Sequence, residues 1–264
     1  MIELFFIFIF GLIIGSFLNC VIWRLYKEES FLLGKSYCPH CRHDLNVLDL
    51  IPLLSFLFLK GKCRYCGKRI SIQYPLVELA TALLFVFVYF QFGPVTGLFS
   101  FNFFQVIFWW LMASFLIAIF VFDSRYYIIP DEIIYPAIVV SMLWVLYSFS
   151  FGVFDKGEAI HILLSSLGAS LFFFLIWFFS KGIAMGFGDV KLAVLMGLLL
   201  GWPNIIVGLF LGFLFGAIIG IVMVLLKKKG LKSEIPFGPF LLIGTFVALF
   251  WGEKIIDWYL SLSN

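Results

Sequence analysis

IELFFIFIFGLIIGSFLNCVIW, residues 2–23, decides how the rest of this chain is read. The run carries a single charge, Glu3, and Arg24 and Lys27 follow at once. A membrane-spanning helix needs about 20 apolar residues, and this stretch supplies them. It has no basic leader before it and no small-residue cleavage site, so it is expected to stay as a span rather than be removed as a signal peptide.

The rest of the sequence repeats the pattern. The chain is 63% hydrophobic and 12% charged over 264 residues, with a mean hydropathy of +1.12. That composition predicts an all-α polytopic membrane protein with eight spans, at 2–23, 72–92, 104–123, 132–149, 160–180, 187–201, 204–226 and 236–260. The sixth is short. The alternating, weakly apolar segments of an outer-membrane barrel are not seen. Most of the 36 phenylalanines are read as lipid-facing bulk.

Charge sets the orientation. Arg24, Lys27, Lys35, Arg42, Lys60, Lys62, Arg64, Lys68, Arg69, Arg125, Lys181, Lys191, Lys227, Lys228, Lys229 and Lys232 fall on one side of these spans, while Lys156 and Lys254 fall on the other. Lys and Arg mark cytoplasmic loops, so the amino terminus is expected outside. The net charge of +3 is thus a membrane-topology signal. With no separate basic domain and no base-stacking module, nucleic-acid binding is excluded. Lys227–Lys229 is expected to meet anionic headgroups of the bilayer.

Residues 24–71 form the long polar loop and hold four of the five cysteines. Cys38-Pro39-His40-Cys41 and Cys63-Arg64-Tyr65-Cys66 are two C-x-x-C pairs. Four thiolates at this spacing suit tetrahedral Zn²⁺. The competing reading is disulfides or free thiols, and disulfides are disfavoured in a reducing cytosol. A closed four-sulfur site leaves no open position for water, so the metal is expected to be structural, holding together a loop too small for its own core. His40 and His43 are expected to be spectators, His161 interfacial, and Cys20 a small packing residue. The apolar stretch 48–59 is too short for a span and is read as an interfacial or re-entrant helix.

Two acids stand out. Asp123 closes the third span in Phe122-Asp123-Ser124-Arg125, and Asp189 opens the sixth in Gly186-Phe187-Gly188-Asp189. Carboxylates beside lipid mark functional sites by default, and the charge pattern puts both at the inner face. A pair of carboxyls can share a proton, one member drawing a proton from water while the other polarises a scissile carbonyl. Gly186 and Gly188 would let a substrate strand approach closely. The structural alternatives are that Asp189 caps the sixth helix and that Asp123 pairs with Arg125. A helix amino terminus favours negative charge and a carboxy terminus disfavours it, so the shared proton is expected on Asp123. Asp131, after Pro130, is read as a cap of the fourth helix and as the competitor of Asp123. Glu78 is either a hydrogen-bonded structural acid or a substrate contact, and the role of Lys191 is open.

An ordered set of motifs now carries a resemblance over nearly the whole length: Gly15-Ser16-Phe17-Leu18-Asn19, both cysteine pairs, Asp49-Leu50-Ile51-Pro52, Tyr74-Pro75-Leu76-Val77-Glu78, Ile129-Pro130-Asp131, Gly186-Phe187-Gly188-Asp189 and Pro236-Phe237-Gly238-Pro239. The chain resembles type IV prepilin peptidases of the GxGD aspartic class. The resemblance implies a multi-pass protein of the bacterial inner membrane that cuts the basic leader from prepilins and type II secretion pseudopilins at the cytoplasmic face. It maps the catalytic pair to Asp123 and Asp189. It also implies methylation of the new amino terminus from S-adenosylmethionine, for which no glycine fingerprint is found here. Glu132 stands where a hydroxyl residue is frequent in the family. The expected organisation is a first span (1–23), a zinc loop with a possible methyltransferase role (24–71) and a seven-helix peptidase part (72–264). An ion or proton transporter is the alternative, but inverted repeats and midplane charges are not seen.

Overall fold

The computed structural model describes residues 2–31, 33–93, 100–226 and 235–262. Lys227, Lys228, Lys229 and Lys232, assigned above to the inner side, lie outside the described residues. The helices are α1 (Ile2–Tyr26), α2 (Leu54–Phe58), α3 (Gln73–Phe92), α4 (Phe101–Tyr126), α5 (Asp131–Ser150), α6 (Lys156–Ser180), α7 (Phe187–Leu200), α8 (Asn204–Leu225) and α9 (Gly238–Leu262). A helix lies at each of the eight expected spans, within a few residues of its predicted bounds. Seven of the described helices are long and apolar enough to cross a membrane. The protein is a multi-pass helical membrane protein.

The exception is α7. Its 14 residues reach about 21 Å at 1.5 Å per residue, short of a hydrocarbon core about 30 Å thick. It is buried nearly all round: Leu192, Ala193, Leu195 and Met196 have no exposure. Contacts with α5, α6, α8 and α9 enclose it, as expected for a helix that is apolar on every face.

The chain divides into two compact units, Met1–Ala118 and Ile119–Asn264, with the division inside α4. In the first unit α1 lies against α3, because small residues let the backbones meet. A Cβ added at Gly15 would stand 2.6 Å from the Cα of Glu78, and one at Gly11 would stand 2.6 Å from the Cα of Ala82. In the second unit α8 and α9 approach in the same way, where a Cβ on Gly244 would meet the Gly208 carbonyl at 2.3 Å. Stretch 48–59 is a single 3₁₀ turn at Val47–Asp49 followed by the five-residue α2. Leu54, Leu57 and Phe58 of α2 are exposed, so the segment is no ninth span.

Helix ends in the second unit are set by local chemistry. Tyr127 takes a positive φ of 60° and stops α4, its N–H bonding the Asp123 carbonyl at 2.9 Å. Extended Pro130 precedes α5. Asp155 and Glu158 close a reciprocal capping box at the start of α6. Lys181 in the left-handed region ends α6, and the chain turns back into α7.

Candidate active site and metal centre

The loop between α1 and α3 is built twice. Cys38 N–H bonds the His43 carbonyl at 3.0 Å, and Arg42 N–H returns to the Cys38 carbonyl at 2.8 Å. In the second copy Cys63 N–H bonds Lys68 at 2.8 Å and Gly67 N–H bonds Cys63 at 2.9 Å. Arg42 and Gly67, at matching places, both have positive φ, 57° and 69°. Tyr37 bridges Asp44 as Lys62 bridges Arg69. Each C-x-x-C thus sits on a tight knuckle that turns its two thiols to one side.

The two knuckles aim at one point. All four sulfurs, from Cys38, Cys41, Cys63 and Cys66, lie within 4.8 Å of one another, and the Cys38 and Cys66 sulfurs are 4.0 Å apart. A tetrahedral ion with metal–sulfur bonds of about 2.3 Å places its sulfurs about 3.8 Å apart. The cysteines are free rather than disulfide-linked, so the cluster fits a metal ion. A backbone hydrogen bond at Lys68 favours the Cys66 thiolate, but burial and the neighbouring thiols outweigh it and push the thiol up to about 11. A bound cation reverses this, releasing protons as it binds. Neither His40 nor His43 belongs to the cluster; the His43 ring stacks on Tyr65 at 3.7 Å.

Asp49 ties the intervening stretch to the second knuckle. Its carboxylate accepts from Arg64 at 2.7 Å, from the Tyr65 hydroxyl at 3.0 Å and from the Asn46 N–H at 3.2 Å. Burial raises its pKa, but these hydrogen bonds win and hold it below the ordinary carboxylate value.

In the second unit, Asp123 and Asp189 are both buried, at 6% and 8% exposure. Asp123 lies in the last turn of α4 and Asp189 in the first turn of α7. Two crossings, α5 and α6, separate these helix ends, so both belong to the same end of the unit. The carboxyls are within electrostatic reach of each other. Asp189 does not cap α7: Gly186 holds that position and makes no side-chain cap. The Gly186 backbone instead hydrogen-bonds the Asp189 carboxyl.

Asp123 is framed by residues far away in sequence. The Gly238 backbone, at the start of α9, hydrogen-bonds its carboxyl, while Asp123 Oδ2 is buried without a partner. A Cβ on Gly238 would lie 2.5 Å from that oxygen, so any side chain there would displace the carboxylate. Ile129, 8% exposed, wedges between the two sides: added Cβ atoms on Gly188 and Gly238 would meet it at 3.1 and 3.5 Å. Sequence reasoning noted Pro236-Phe237-Gly238-Pro239 without giving Gly238 a task, and it gave Ile129 none.

Asp131 is not the cap of α5. Pro130 takes the cap position, and the Asp131 carboxylate pairs with Lys191 of α7. The Lys191 ammonium also lies over the Tyr135 ring at 4.9 Å. This pair links the start of α5 to α7 two residues beyond Asp189. Arg125 lies over the Tyr126 ring at 5.7 Å. Glu78 belongs to the first unit, where it is 7% exposed and accepts the Leu53 N–H at 2.9 Å. Gly186 and Gly188 flank Asp189 at the start of α7.

A membrane-embedded helical protein with two carboxyls buried at neighbouring helix ends is thus defined. Residues 9–92 match the family described as Bacterial Peptidase A24 N-terminal domain, and residues 110–221 match the Type IV leader peptidase family. Similar proteins are the prepilin leader peptidase/N-methyltransferases of Aeromonas hydrophila, 35% identical over 97% of this chain and 93% of that protein, and of Bacillus subtilis (strain 168), 35% identical over 97% and 98%. That of Pseudomonas aeruginosa is 33% identical over 96% of this chain and 92% of its own length. No solved structure matches the chain. The chain belongs to the type IV leader peptidase family and is an enzyme of that kind; nothing supports the transporter alternative.

Proposed function

We propose that this enzyme is a prepilin leader peptidase that also methylates the amino terminus it creates. The observation that carries the peptidase reading is the burial of Asp123 and Asp189 together at one end of the second unit. Family membership points the same way. The substrates are type IV prepilins and type II secretion pseudopilins. Their apolar helix lies in the bilayer while the basic leader stays in the cytosol.

The site faces the cytoplasm, the amino terminus is outside, and the host is a bacterial inner membrane; the bias of Lys and Arg to one side supports this orientation. A helical peptide bond is shielded, so the substrate unwinds at the scissile position. Gly186, with no atom nearer than 3.9 Å to where its Cβ would stand, leaves room for that strand, and Gly188 keeps the start of α7 close to Ile129. One carboxylate of the Asp123/Asp189 pair takes a proton from water, and the water oxygen attacks the scissile carbonyl carbon. The other, protonated, hydrogen-bonds the carbonyl oxygen. Collapse of the tetrahedral intermediate breaks the C–N bond, and the leaving nitrogen receives a proton from the pair. Asp131 and Lys191 support this by fixing α5 against α7.

Zn²⁺ would be held by Cys38, Cys41, Cys63 and Cys66 as a structural ion closing the two knuckles. S-adenosylmethionine would supply the methyl group when bound. As a division of labour, the first span (1–23) leads into the zinc loop (24–71), which serves methylation, and the peptidase site lies within 72–264. The test is to incubate detergent-solubilised prepilin with wild type, Asp123→Asn and Asp189→Asn. Cleavage by wild type alone supports the reading; cleavage by both variants rejects it.

A further inference from the structure

The α1/α3 seam holds a cluster that none of the chemistry above uses. Asn19 is 3% exposed. Its side-chain NH₂ donates to the Tyr74 carbonyl at 3.0 Å and the Gly15 carbonyl at 3.3 Å. Two acceptors on that side fix the amide orientation, since the flipped form would set oxygen against oxygen. The amide oxygen, Asn19 Oδ1, then points the other way, buried and without a partner. A buried acceptor in that state needs a donor.

Glu78 lies within a helical turn of it on the same seam. Tyr74, which accepts from Asn19, is one turn before Glu78 in α3, and Gly15, one turn before Asn19 in α1, is packed against the Glu78 Cα. The Glu78 side chain leans toward the start of its helix, as helical side chains do, and so toward the level of Asn19. Its Oε2 accepts the Leu53 N–H, and the Ser16 hydroxyl also engages the carboxylate. Among the described residues no Lys, Arg or His pairs with it. Leu53 holds a φ of +59°, a conformation that costs free energy in an L-residue, so the loop is pinned to this carboxylate at some expense. Ser16 and Leu53 are half-buried and form the open side of the cluster.

A buried carboxylate without a cation, about one helical turn along the seam from an amide oxygen without a donor, is complementary to a small cation rich in N–H groups. We propose that Asn19 and Glu78 form a binding site for a primary ammonium, the new α-amino group of the cleaved pilin. This rests on the reading that the enzyme methylates that group. The amine arrives at the end of an apolar helix that remains in the bilayer, and the seam lies between two membrane spans. Three N–H donors would meet Asn19 Oδ1 and the two Glu78 oxygens, one of them shared with Leu53.

The experiment uses the full-length protein in detergent and two versions of one apolar peptide, with a free and with an acetylated amino terminus. Wild type is expected to bind the free form about tenfold tighter, the effect of one charge-assisted contact. Glu78→Gln keeps an oxygen for the Leu53 N–H and is expected to bring the ratio to about one, with S-adenosylmethionine binding unchanged. Zinc content and thermal melting check that the variant folds; if it does not, Asn19→Ala removes the orphan oxygen without touching Leu53 and is read instead. No preference in wild type, or a preference surviving in the folded variant, overturns the site. So does a variant that loses S-adenosylmethionine binding but keeps the peptide preference, which would assign the cluster to the donor's amino group. Wild-type methylation of cleaved prepilin from labelled S-adenosylmethionine, scored in parallel, keeps failure of this site distinct from failure of the methylation reading.

Discussion

The cysteine loop and the acid pair gather reactive side chains by opposite means. In the loop, four sulfurs are set by two local knuckles, each closed by hydrogen bonds between residues four or five apart. At the acid pair, the framing groups come from α4, the turn at Ile129, the start of α7 and the start of α9. A local device tolerates drift in the rest of the fold. A site assembled from several helix ends holds its geometry only while those helices stay in register.

The comparison breaks most sharply at the carboxyls. Asp123→Asn and Asp189→Asn are each expected to lower cleavage about a thousandfold or more, as loss of an acid–base group does, measured with solubilised prepilin. Next comes the metal. Cys38→Ser with Cys41→Ser should abolish bound zinc by metal analysis and melt the loop, yet lower cleavage far less than either acid variant. An equal loss of cleavage would show that the two regions act as one. Chelation should follow the same pattern and proceed faster at lower pH, because thiolates must take up protons to release the ion.

Gly238→Ala sharpens the contrast. Its Cβ would stand 2.5 Å from Asp123 Oδ2, so cleavage should drop about tenfold to a hundredfold while zinc content is unchanged. Smaller still is Lys191→Met, which removes the Asp131 pair. With Asp131 54% exposed in its side chain, cleavage should fall about threefold. The smallest effect belongs to Asp49→Asn. Because the native carboxyl is held below its ordinary value, its contribution is present above about pH 4 and lost as pH falls through the lowered value. The melting difference between wild type and variant should therefore shrink in acid.

The membrane architecture could be read from sequence because an apolar run of a given length has few alternatives near lipid. Even the short sixth segment came out as a helix at its expected place, though too short to be a span. The cysteine cluster was equally readable, since C-x-x-C encodes a local turn, and the second copy of the knuckle was also there to be seen: Ser36-Tyr37-Cys38 and Leu45 correspond to Gly61-Lys62-Cys63 and Ile70. Gly238, Ile129 and the Lys191 partner of Asp131 were not readable. Each acts through a contact across many residues, and no local pattern distinguishes a glycine that clears a carboxylate from one that merely packs. Asp131 was misread for a related reason: Pro130 took the cap position, leaving the carboxylate to reach another helix.

The shortness of α7 has a further consequence. A helix of about 21 Å cannot match the bilayer at both of its ends, but here four protein neighbours, not acyl chains, surround it. Hydrophobic mismatch is therefore absorbed by the longer outer helices, which can tilt. The position of Asp189 is thus set by the protein around it, so under the proposed function hosts with thinner or thicker membranes would share one cleavage depth.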